Sequence, residues 1–357
     1  MAKPRYYDWQ ATMSRQTGTQ GEHCLVIGGK DIGKTFGLRL RCVEIFTKRQ
    51  EKFCEVFRTK AEKEQCAKGY FDKLTGDGFF KEYVFKSDKE CGYIARRPAC
   101  EDDKPDWQLC CYFVALTELQ TAKKRTYDHP TRFIFDEALI DRDASRYARY
   151  LPNEFLILGK LLDSVSRQQP DGYQYRVYYI GNSVDITCPY LRYLGIDKVP
   201  EAYGYYWYKS RTVLLHYVEP WDVHERECRT LVGRMLAGME GAETVFANRF
   251  TDTTGREVMR KTPQATFSFG IIWHRQSFGV WVDKGAALWF ISPKIPKGAK
   301  RVYTLTKRDG TAYYDRIDKA HPACVTLMSM YQGGVLRYES AYIREAFLEV
   351  LGFMGIR

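Results

Sequence analysis

The sequence predicts an α/β fold built on a mainly parallel sheet, because three short apolar runs alternate with helical patterns. The runs cover residues 24–28, 132–135 and 177–180, and continuous apolar stretches of this length are typical of strands buried on both faces. Apolar residues recur at helical spacing over 36–49 and over 155–165. Strands that alternate with helices favour a sheet covered by helices on both faces.

The remaining elements are less regular. A Lys/Glu-rich helical pattern covers 60–73, and short aromatic strands are expected at 79–85 and 110–115. Beyond residue 218, four closely spaced strands are expected, followed by an amphipathic helix at 340–353. These strands are predicted at 266–274, 278–283, 287–292 and 301–306.

Domain organisation is predicted from this change of pattern. The first 218 residues alternate strands and helices, whereas the last hundred residues begin with adjacent strands. We therefore expect an α/β domain at 1–218, a linker at 219–260 and a smaller α+β domain at 261–357.

The composition is that of a folded protein with a basic surplus. The chain has 357 residues, 45% of them hydrophobic, and a formal net charge of +11, which favours a polyanionic partner without identifying one. No stretch reaches the roughly 20 apolar residues of a membrane span, and no secretion signal is expected. The 11 cysteines lack regular spacing, which favours reduced thiols in a cytosolic compartment. Those at 91, 100, 110 and 111 lack the paired spacing of a zinc site, and none is expected.

The turn after the first apolar run matches the phosphate-binding pattern G-x-x-x-x-G-K-[ST]. A strand precedes it and a helix follows it, as this pattern requires. Its backbone N–H groups would surround a phosphate chain, Lys34 would bridge the β- and γ-phosphates, and the Thr35 hydroxyl would bind Mg²⁺. The sequence therefore predicts ATP and Mg²⁺ as cofactors. The residues of the loop are Gly28, Gly29, Lys30, Asp31, Ile32, Gly33, Lys34 and Thr35.

Polar residues at the ends of the other two apolar runs complete the predicted site. Asp136 would hold Mg²⁺, and the adjacent Glu137 would polarise the attacking water, an arrangement that favours hydrolysis over phosphate transfer. Asn182 can sense the γ-phosphate or the water, or it can simply belong to a turn. Arg167 ends a predicted helix. On the residues alone it is better explained as a cation at the helix C-terminus than as an arginine finger.

A second basic feature lies near the C-terminus. Between Lys284 and Arg308 there are seven Lys or Arg residues and no Asp or Glu. We expect this segment to dock nucleic acid or an acidic protein surface, although a solvated basic face would have the same composition. The residues predicted to make this contact are Lys294, Lys297, Lys300 and Arg301.

Taken together, these motifs resemble the DNA-packaging (encapsidation) ATPases of phi29-type tailed phages. The likeness runs in order over roughly residues 20 to 356. It is carried by 27–35, 133–137, 150–154, 162–167, 181–184 with 189–190, 278–283, 302–306 and 334–338.

The resemblance implies an ASCE-type P-loop motor that pumps double-stranded DNA into an empty prohead. It implies a homo-oligomeric ring, a pentamer by resemblance, that sits transiently on the portal vertex in the host cytoplasm and is absent from the mature virion. A packaging RNA is left open as a further partner. Lys34, Thr35, Asp136 and Glu137 would be the ATPase residues, and Arg167 an arginine finger that acts on the neighbouring subunit.

Other basic residues receive roles only through the resemblance. Lys123 lies where the family has a basic residue that acts across the subunit interface, but Lys124 adjoins it and leaves the assignment ambiguous. Lys60 resembles a lysine that faces the DNA channel, and Arg58 is assigned to the same contact. Lys30 matches a basic residue within the phosphate loop.

The C-terminal domain resembles the family's RNase H-like domain, a vestigial nuclease. Asp283 closes a predicted strand as a nuclease acid would, but no set of partner acids accompanies it. Asp309, Asp315 and Asp318 are more simply loop and turn residues, so we expect no nuclease activity. The alternatives left open are a P-loop regulatory protein that uses nucleotide as a switch, and a helicase-like DNA translocase with no connection to a capsid.

Overall fold

Two compact units make up the chain in the computed structural model. One consists of Met1–Val184 with Tyr193–Phe250, and the other of Asp185–Arg192 with Thr251–Arg357. The predicted linker at 219–260 contains the division at residue 250, whereas nothing in the sequence indicated that 185–192 joins the second unit. The residues that the structure describes are 6–29, 32–100, 103–140, 150–151, 153–182, 188–196, 200, 202–219, 257–274, 276–307, 309 and 314–355.

A nine-stranded sheet forms the centre of the first unit, with the order β3-β4-β5-β2-β6-β7-β1-β9-β8. Neighbouring strands from β5 to β9 in this order are parallel, and antiparallel pairs complete both edges. The expectation of a mainly parallel sheet is confirmed. The strands are β1 (His23–Ile27), β2 (Lys52–Phe57), β3 (Tyr83–Ser87), β4 (Cys91–Arg96), β5 (Gln108–Ala115), β6 (Pro130–Phe135), β7 (Arg176–Gly181), β8 (Gly204–Tyr208) and β9 (Val213–Tyr217).

Helices pack against this sheet through apolar stripes. The helix α2 buries Cys42 and Phe46 in one cluster with Ile134 of β6 and Tyr178 of β7. Ile134 and Tyr178 are in register on neighbouring strands, so their side chains lie on the same face of the sheet. The helix α6 buries Leu158, Leu161, Leu162 and Val165. Within its described residues, this unit has the helices α1 (Trp9–Arg15), α2 (Lys34–Arg49), α3 (Lys60–Ala67), α4 (Asp72–Gly76), α5 (Leu119–Ala122) and α6 (Glu154–Ser166).

Two sequence expectations in this unit were wrong in detail. The single helical pattern at 60–73 is broken, because Lys68 is extended and Gly69 has a φ of +74°, so α3 and α4 are separate helices. The aromatic strand expected at 79–85 begins only at Tyr83, because Phe80 has a φ of +56° and makes a turn. Left-handed backbone cannot continue a helix or a strand.

The second unit contains a six-stranded mixed sheet of order β14-β13-β10-β11-β12-β15. Its two C-terminal helices pack on one hydrophobic cluster with β10 and β11. Among the described residues, no helix is long and apolar enough to span a membrane. The elements among its described residues are α7 (Pro189–Tyr193), β10 (Thr266–Trp273), β11 (Gln276–Asp283), β12 (Leu288–Ser292), β13 (Val302–Thr304), β14 (Asp315–Arg316), α8 (Pro322–Gln332), β15 (Leu336–Tyr338) and α9 (Ala341–Phe353).

Candidate nucleotide-binding site

Three neighbouring parallel strands end at the same edge of the first sheet. Ile27 of β1 is in register with Gly181 of β7, and Phe135 of β6 is in register with Tyr179 of β7. The residues that follow these strands therefore converge, as ligand-binding residues do at the carboxyl ends of open α/β sheets. The predicted loop, the acid pair and Asn182 all lie at this edge.

Two glycines of the phosphate loop lie in tightly packed positions, and the backbone at Gly33 favours glycine. Gly33, which precedes α2, has a φ of +72°, and a Cβ there would lie 2.7 Å from Cδ1 of Tyr6. A Cβ at Gly28 would lie 2.8 Å from Cδ1 of Ile32. A side chain at either position would therefore disturb the loop. Lys30 and Asp31 lie outside the described residues.

The Lys34 side chain is buried and joins the loop to the strand end of β7. Its Nζ donates to the carbonyl oxygens of Gly28 at 2.9 Å and Gly29 at 2.5 Å, and to Oδ1 of Asn182 at 3.1 Å. The structure thus brings together two residues that the sequence places 148 positions apart. A phosphate group at this place would meet the ammonium and the N-terminus of α2.

Thr35 and Asp136 form the oxygen-bearing part of the site. Thr35 lies close enough to Asp136 for its side chain to help lower the pKa of that carboxyl. Burial raises the pKa of Asp136, while Arg39 and the Thr35 side chain act in the opposite direction. A hydroxyl beside a carboxylate is a donor set that suits Mg²⁺, which prefers hard oxygen ligands.

Glu137 projects from the edge on a left-handed backbone. It is exposed and has a φ of +50°, a conformation that costs a non-glycine residue about 1 kcal/mol or more. Its N–H donates to Oδ1 of Asp136 at 2.9 Å, and its carbonyl accepts from Nη2 of Arg58 at 3.1 Å. These contacts hold the Glu137 backbone in place and leave its carboxylate accessible to solvent.

Arg58, which we expected to contact DNA, lies in a buried ion pair. Its side chain is 9% exposed, and its Nε donates to Oε2 of Glu154 at 2.9 Å. Its guanidinium also donates to the carbonyls of Glu137 and Ala138. This environment does not suit the expected contact with a DNA phosphate, because such a contact would break a buried ion pair. Arg58 is better described as a residue that positions Glu137.

Lys60, by contrast, is accessible. It is the first residue of α3, and its side chain is 60% exposed, 3.3 Å from Glu118. A capping box formed by Thr59 and Glu62 fixes this end of the helix, so the position of Lys60 is well determined.

Arg167 and Lys123 both lie within electrostatic reach of Asp163, near the C-terminal end of α6. Arg167 follows the last residue of α6, is largely exposed and pairs with Asp163. The hydrogen bond from Arg167 lowers the pKa of Asp163, and Lys123 contributes in the same direction. Lys124 instead lines a cavity of about 530 Å³ next to Lys63. Of the two adjacent lysines, Lys123 is the one that acts on the same carboxylate as Arg167.

The basic residues of the second unit lie on a well-packed segment. Lys294, Lys297, Lys300 and Arg301 are all exposed. The backbone beneath them crosses the sheet, because the Trp281 indole donates to the Lys294 carbonyl at 3.3 Å and a Cβ at Gly279 would lie 2.2 Å from that oxygen.

Asp283 ends β11 as expected, and local partners occupy its carboxylate. It accepts from the Thr262 hydroxyl and from the Ala286 N–H at 3.0 Å, and these bonds lower its pKa. In the described part of the chain, no group of three or more His, Cys, Asp or Glu side chains is placed to hold a metal ion.

Sequence reasoning missed two buried ion pairs beside the site, Arg58–Glu154 and Arg39–Glu55. One signal was available, because Glu55 interrupts the otherwise apolar end of β2. A charge inside a buried strand requires a partner of opposite charge.

A strand, a glycine-dependent loop and a helix that places Lys34 and Thr35 beside Asp136 define a P-loop nucleoside-triphosphate-binding domain. Comparison with protein families identifies the family within this class. The model of the podovirus DNA encapsidation protein (Gp16) matches residues 1–356, and the chain belongs to this family. It is a homologue of the ATPases of phage genome packaging motors.

Curated relatives and solved structures agree with this assignment. The chain is 26% identical over 336 residues to the DNA packaging protein of Bacillus phage B103, covering 93% of this chain and 97% of that protein. It is 26% identical over 335 residues to that of Bacillus phage phi29, covering 93% and 94%. The bacteriophage phi29 viral genome packaging motor assembly has the same fold, with a TM-score of 0.71, 23% identity and coverage of 98% and 99%. The Phi-28 gp11 DNA packaging motor gives a TM-score of 0.69 at 15% identity, with coverage of 99% of each chain.

Proposed function

We propose that the chain is the ATP-hydrolysing subunit of a homo-oligomeric ring that moves double-stranded genomic DNA into a prohead through its portal. One observation of the structure carries the proposal. Lys34 lies between the loop carbonyls and Asn182, at the strand edge where Thr35 meets Asp136. Family membership supports the packaging role, since the curated relatives are DNA packaging proteins.

In this proposal each residue of the edge has a defined task. The loop N–H groups and the Lys34 ammonium bind the ATP phosphates, and Lys34 exchanges the carbonyls of Gly28 and Gly29 for phosphate oxygens. Thr35 and Asp136 would hold Mg²⁺, which neutralises developing charge on the phosphates. Glu137 orients the attacking water and accepts its proton, and the Asn182 amide donates to the γ-phosphate or to the water.

The cluster at the end of α6 supplies the residues for the neighbouring subunit. Arg167 is exposed and lies at the opposite end of α6 from Glu154, which contacts Arg58. This position supports a role at another subunit's ATP rather than at its own. Lys123 accompanies it because the backbone at Arg125 and Tyr127 is hydrogen-bonded to the side chain of Gln168.

Sequence-independent contacts to phosphates suit a motor that moves any DNA. Lys60 is our proposed DNA contact in the first unit. DNA binding through this contact should weaken as the salt concentration rises. The exposed segment with Lys294, Lys297, Lys300 and Arg301 would dock nucleic acid, including a packaging RNA, or the acidic surface of the portal. We assign the second unit to an RNase H-like domain without nuclease function.

Packaging of double-stranded DNA into purified proheads tests the function directly. Glu137→Gln should bind ATP normally but lose DNA-stimulated hydrolysis and packaging by about 10²-fold or more, the usual contribution of a positioned base. Glu64→Gln, which changes a half-buried glutamate of α3 that pairs with the exposed Lys89, is the matched control and should package like the wild type. Wild-type packaging by Glu137→Gln would overturn the assignment.

Two further outcomes distinguish the other classes of protein. Wild-type hydrolysis that responds neither to DNA nor to Arg167→Ala would indicate a nucleotide switch. Separation of the two DNA strands, in place of movement of intact duplex, would indicate a helicase.

A further inference from the structure

A buried carboxylate lies behind the acid pair and has no role in the site described so far. Glu55 in β2 is 0% exposed. It is in register with Ile134 of β6, and Asp136 lies two residues after Ile134. Glu55 and Asp136 therefore lie on the same face of the sheet. Glu55 therefore lies directly beneath the edge at which Thr35 and Asp136 meet.

Arg39 and Tyr70 satisfy this buried charge. Nε of Arg39 lies 3.1 Å from each oxygen of Glu55, and a second guanidinium nitrogen donates to Oε1. The Tyr70 hydroxyl donates to Oε2, and its ring packs 4.6 Å from the Arg39 guanidinium. Such a pair is held in a fixed geometry, because breaking it would leave a buried charge without a partner of opposite charge.

Arg39 also lies within electrostatic reach of the proposed metal-binding carboxylate. It is one helical turn after Thr35 on α2, and positions four residues apart share a helix face. Glu55 and Asp136 both stabilise its charge. One guanidinium thus interacts with two carboxylates, of which Glu55 holds it through direct hydrogen bonds.

We propose that Glu55 is a positioning residue that keeps Arg39 from pairing with Asp136 in competition with Mg²⁺. The inference rests on the proposed function, in which Asp136 holds the metal. A bidentate contact with arginine would use both carboxylate oxygens, which the metal also needs. When Glu55 loses its charge, Asp136 becomes the carboxylate that attracts Arg39.

A purely structural role for Glu55 makes a different prediction. Loss of a buried carboxylate would then lower stability and leave the Mg²⁺ dependence of nucleotide binding unchanged. The proposed role predicts a weaker response to Mg²⁺, and it predicts that removal of Arg39 as well restores that response.

The experiment measures binding of fluorescent ADP to the full-length protein while MgCl₂ is titrated, with thermal unfolding recorded in parallel. Glu55→Gln should raise the half-maximal Mg²⁺ concentration about tenfold, equivalent to about 1.4 kcal/mol. Glu55→Gln with Arg39→Gln should return it to within about threefold of the wild type. Glu51→Gln is the matched control, because Glu51 pairs with Arg132 at the beginning of β6, away from the acid pair.

Tyr70→Phe provides a second route if Glu55→Gln does not fold. It removes one hydrogen bond to Glu55 while keeping the aromatic packing, and it should raise the Mg²⁺ requirement in the same direction, about threefold. An unchanged Mg²⁺ requirement in the folded variants, or an equal shift in the double variant, would overturn the inference. Absence of any Mg²⁺ response in the wild type would instead count against the proposed function.

Discussion

Glu154 balances the charge of Arg58 in the interior of the first unit, and replacing it with glutamine should destabilise the fold. Its side chain is 1% exposed, and Oε2 accepts from Nε of Arg58 at 2.9 Å and from the Leu151 N–H at 2.8 Å. Glutamine keeps the size but removes the charge. Loss of one partner from a buried ion pair costs about 3–5 kcal/mol. Because Arg58 also donates to the carbonyls of Glu137 and Ala138, we expect the lower end, about 3 kcal/mol.

Urea-induced unfolding, followed by circular dichroism, measures this loss as a decrease in the free energy of unfolding of the first unit. The control is Asp163→Asn, because Asp163 is 56% exposed and pairs with an exposed arginine four residues away. Such surface pairs contribute about 0.3–0.5 kcal/mol. If Glu154→Gln cost no more than Asp163→Asn, the buried pair would not carry the charge balance that we assign to it.

Three further predictions concern other parts of the chain. Trp9→Phe removes the N–H that donates to the Lys34 carbonyl at 2.7 Å. The free energy of unfolding should fall by about 1 kcal/mol, and the binding of fluorescent ADP should weaken. Gly279→Ala places a Cβ 2.2 Å from the Lys294 carbonyl oxygen. Thermal unfolding should show that the free energy of unfolding falls by about 1–3 kcal/mol. Burial, with a contribution from Arg15, lowers the pKa of His216 from 6.5 to about 4. The unfolded chain therefore takes up a proton that the fold excludes, and stability should fall as pH drops from about 6.5 towards 4. His216→Asn should lose less stability between pH 7 and pH 5 in urea titrations.

The sequence predicted three central strands of the first sheet, because buried parallel strands have a strong pattern, but it did not predict β2, whose apolar run Glu55 interrupts. The runs at β1, β6 and β7 are continuous and apolar, and turn-forming or acidic residues follow each of them. The edge strands were harder to predict. β8 has four half-buried aromatic residues after its first glycine, and β3 starts late because of the left-handed Phe80. Such positions depend on contacts that are distant in the sequence.

The candidate site was predictable where a motif fixes the chemistry. The phosphate loop and the acid pair need specific residue types at fixed spacing, so Lys34, Thr35 and Asp136 could be named from the sequence. Arg58 could not be placed in this way, because an arginine after a strand is compatible with both a surface and a buried position. Its burial depends on Glu154, 96 residues later in the chain.

The helix α6 connects the two groups of residues that the proposed function requires. Its first residue, Glu154, is hydrogen-bonded to Arg58, which in turn donates to the carbonyl of Glu137. Arg167 follows its last residue. The helix has 13 residues, so it spans about 20 Å at 1.5 Å per residue. The same buried pair that stabilises the fold therefore lies between Glu137, our proposed catalytic residue, and the helix that ends at Arg167, which we propose acts on the next subunit.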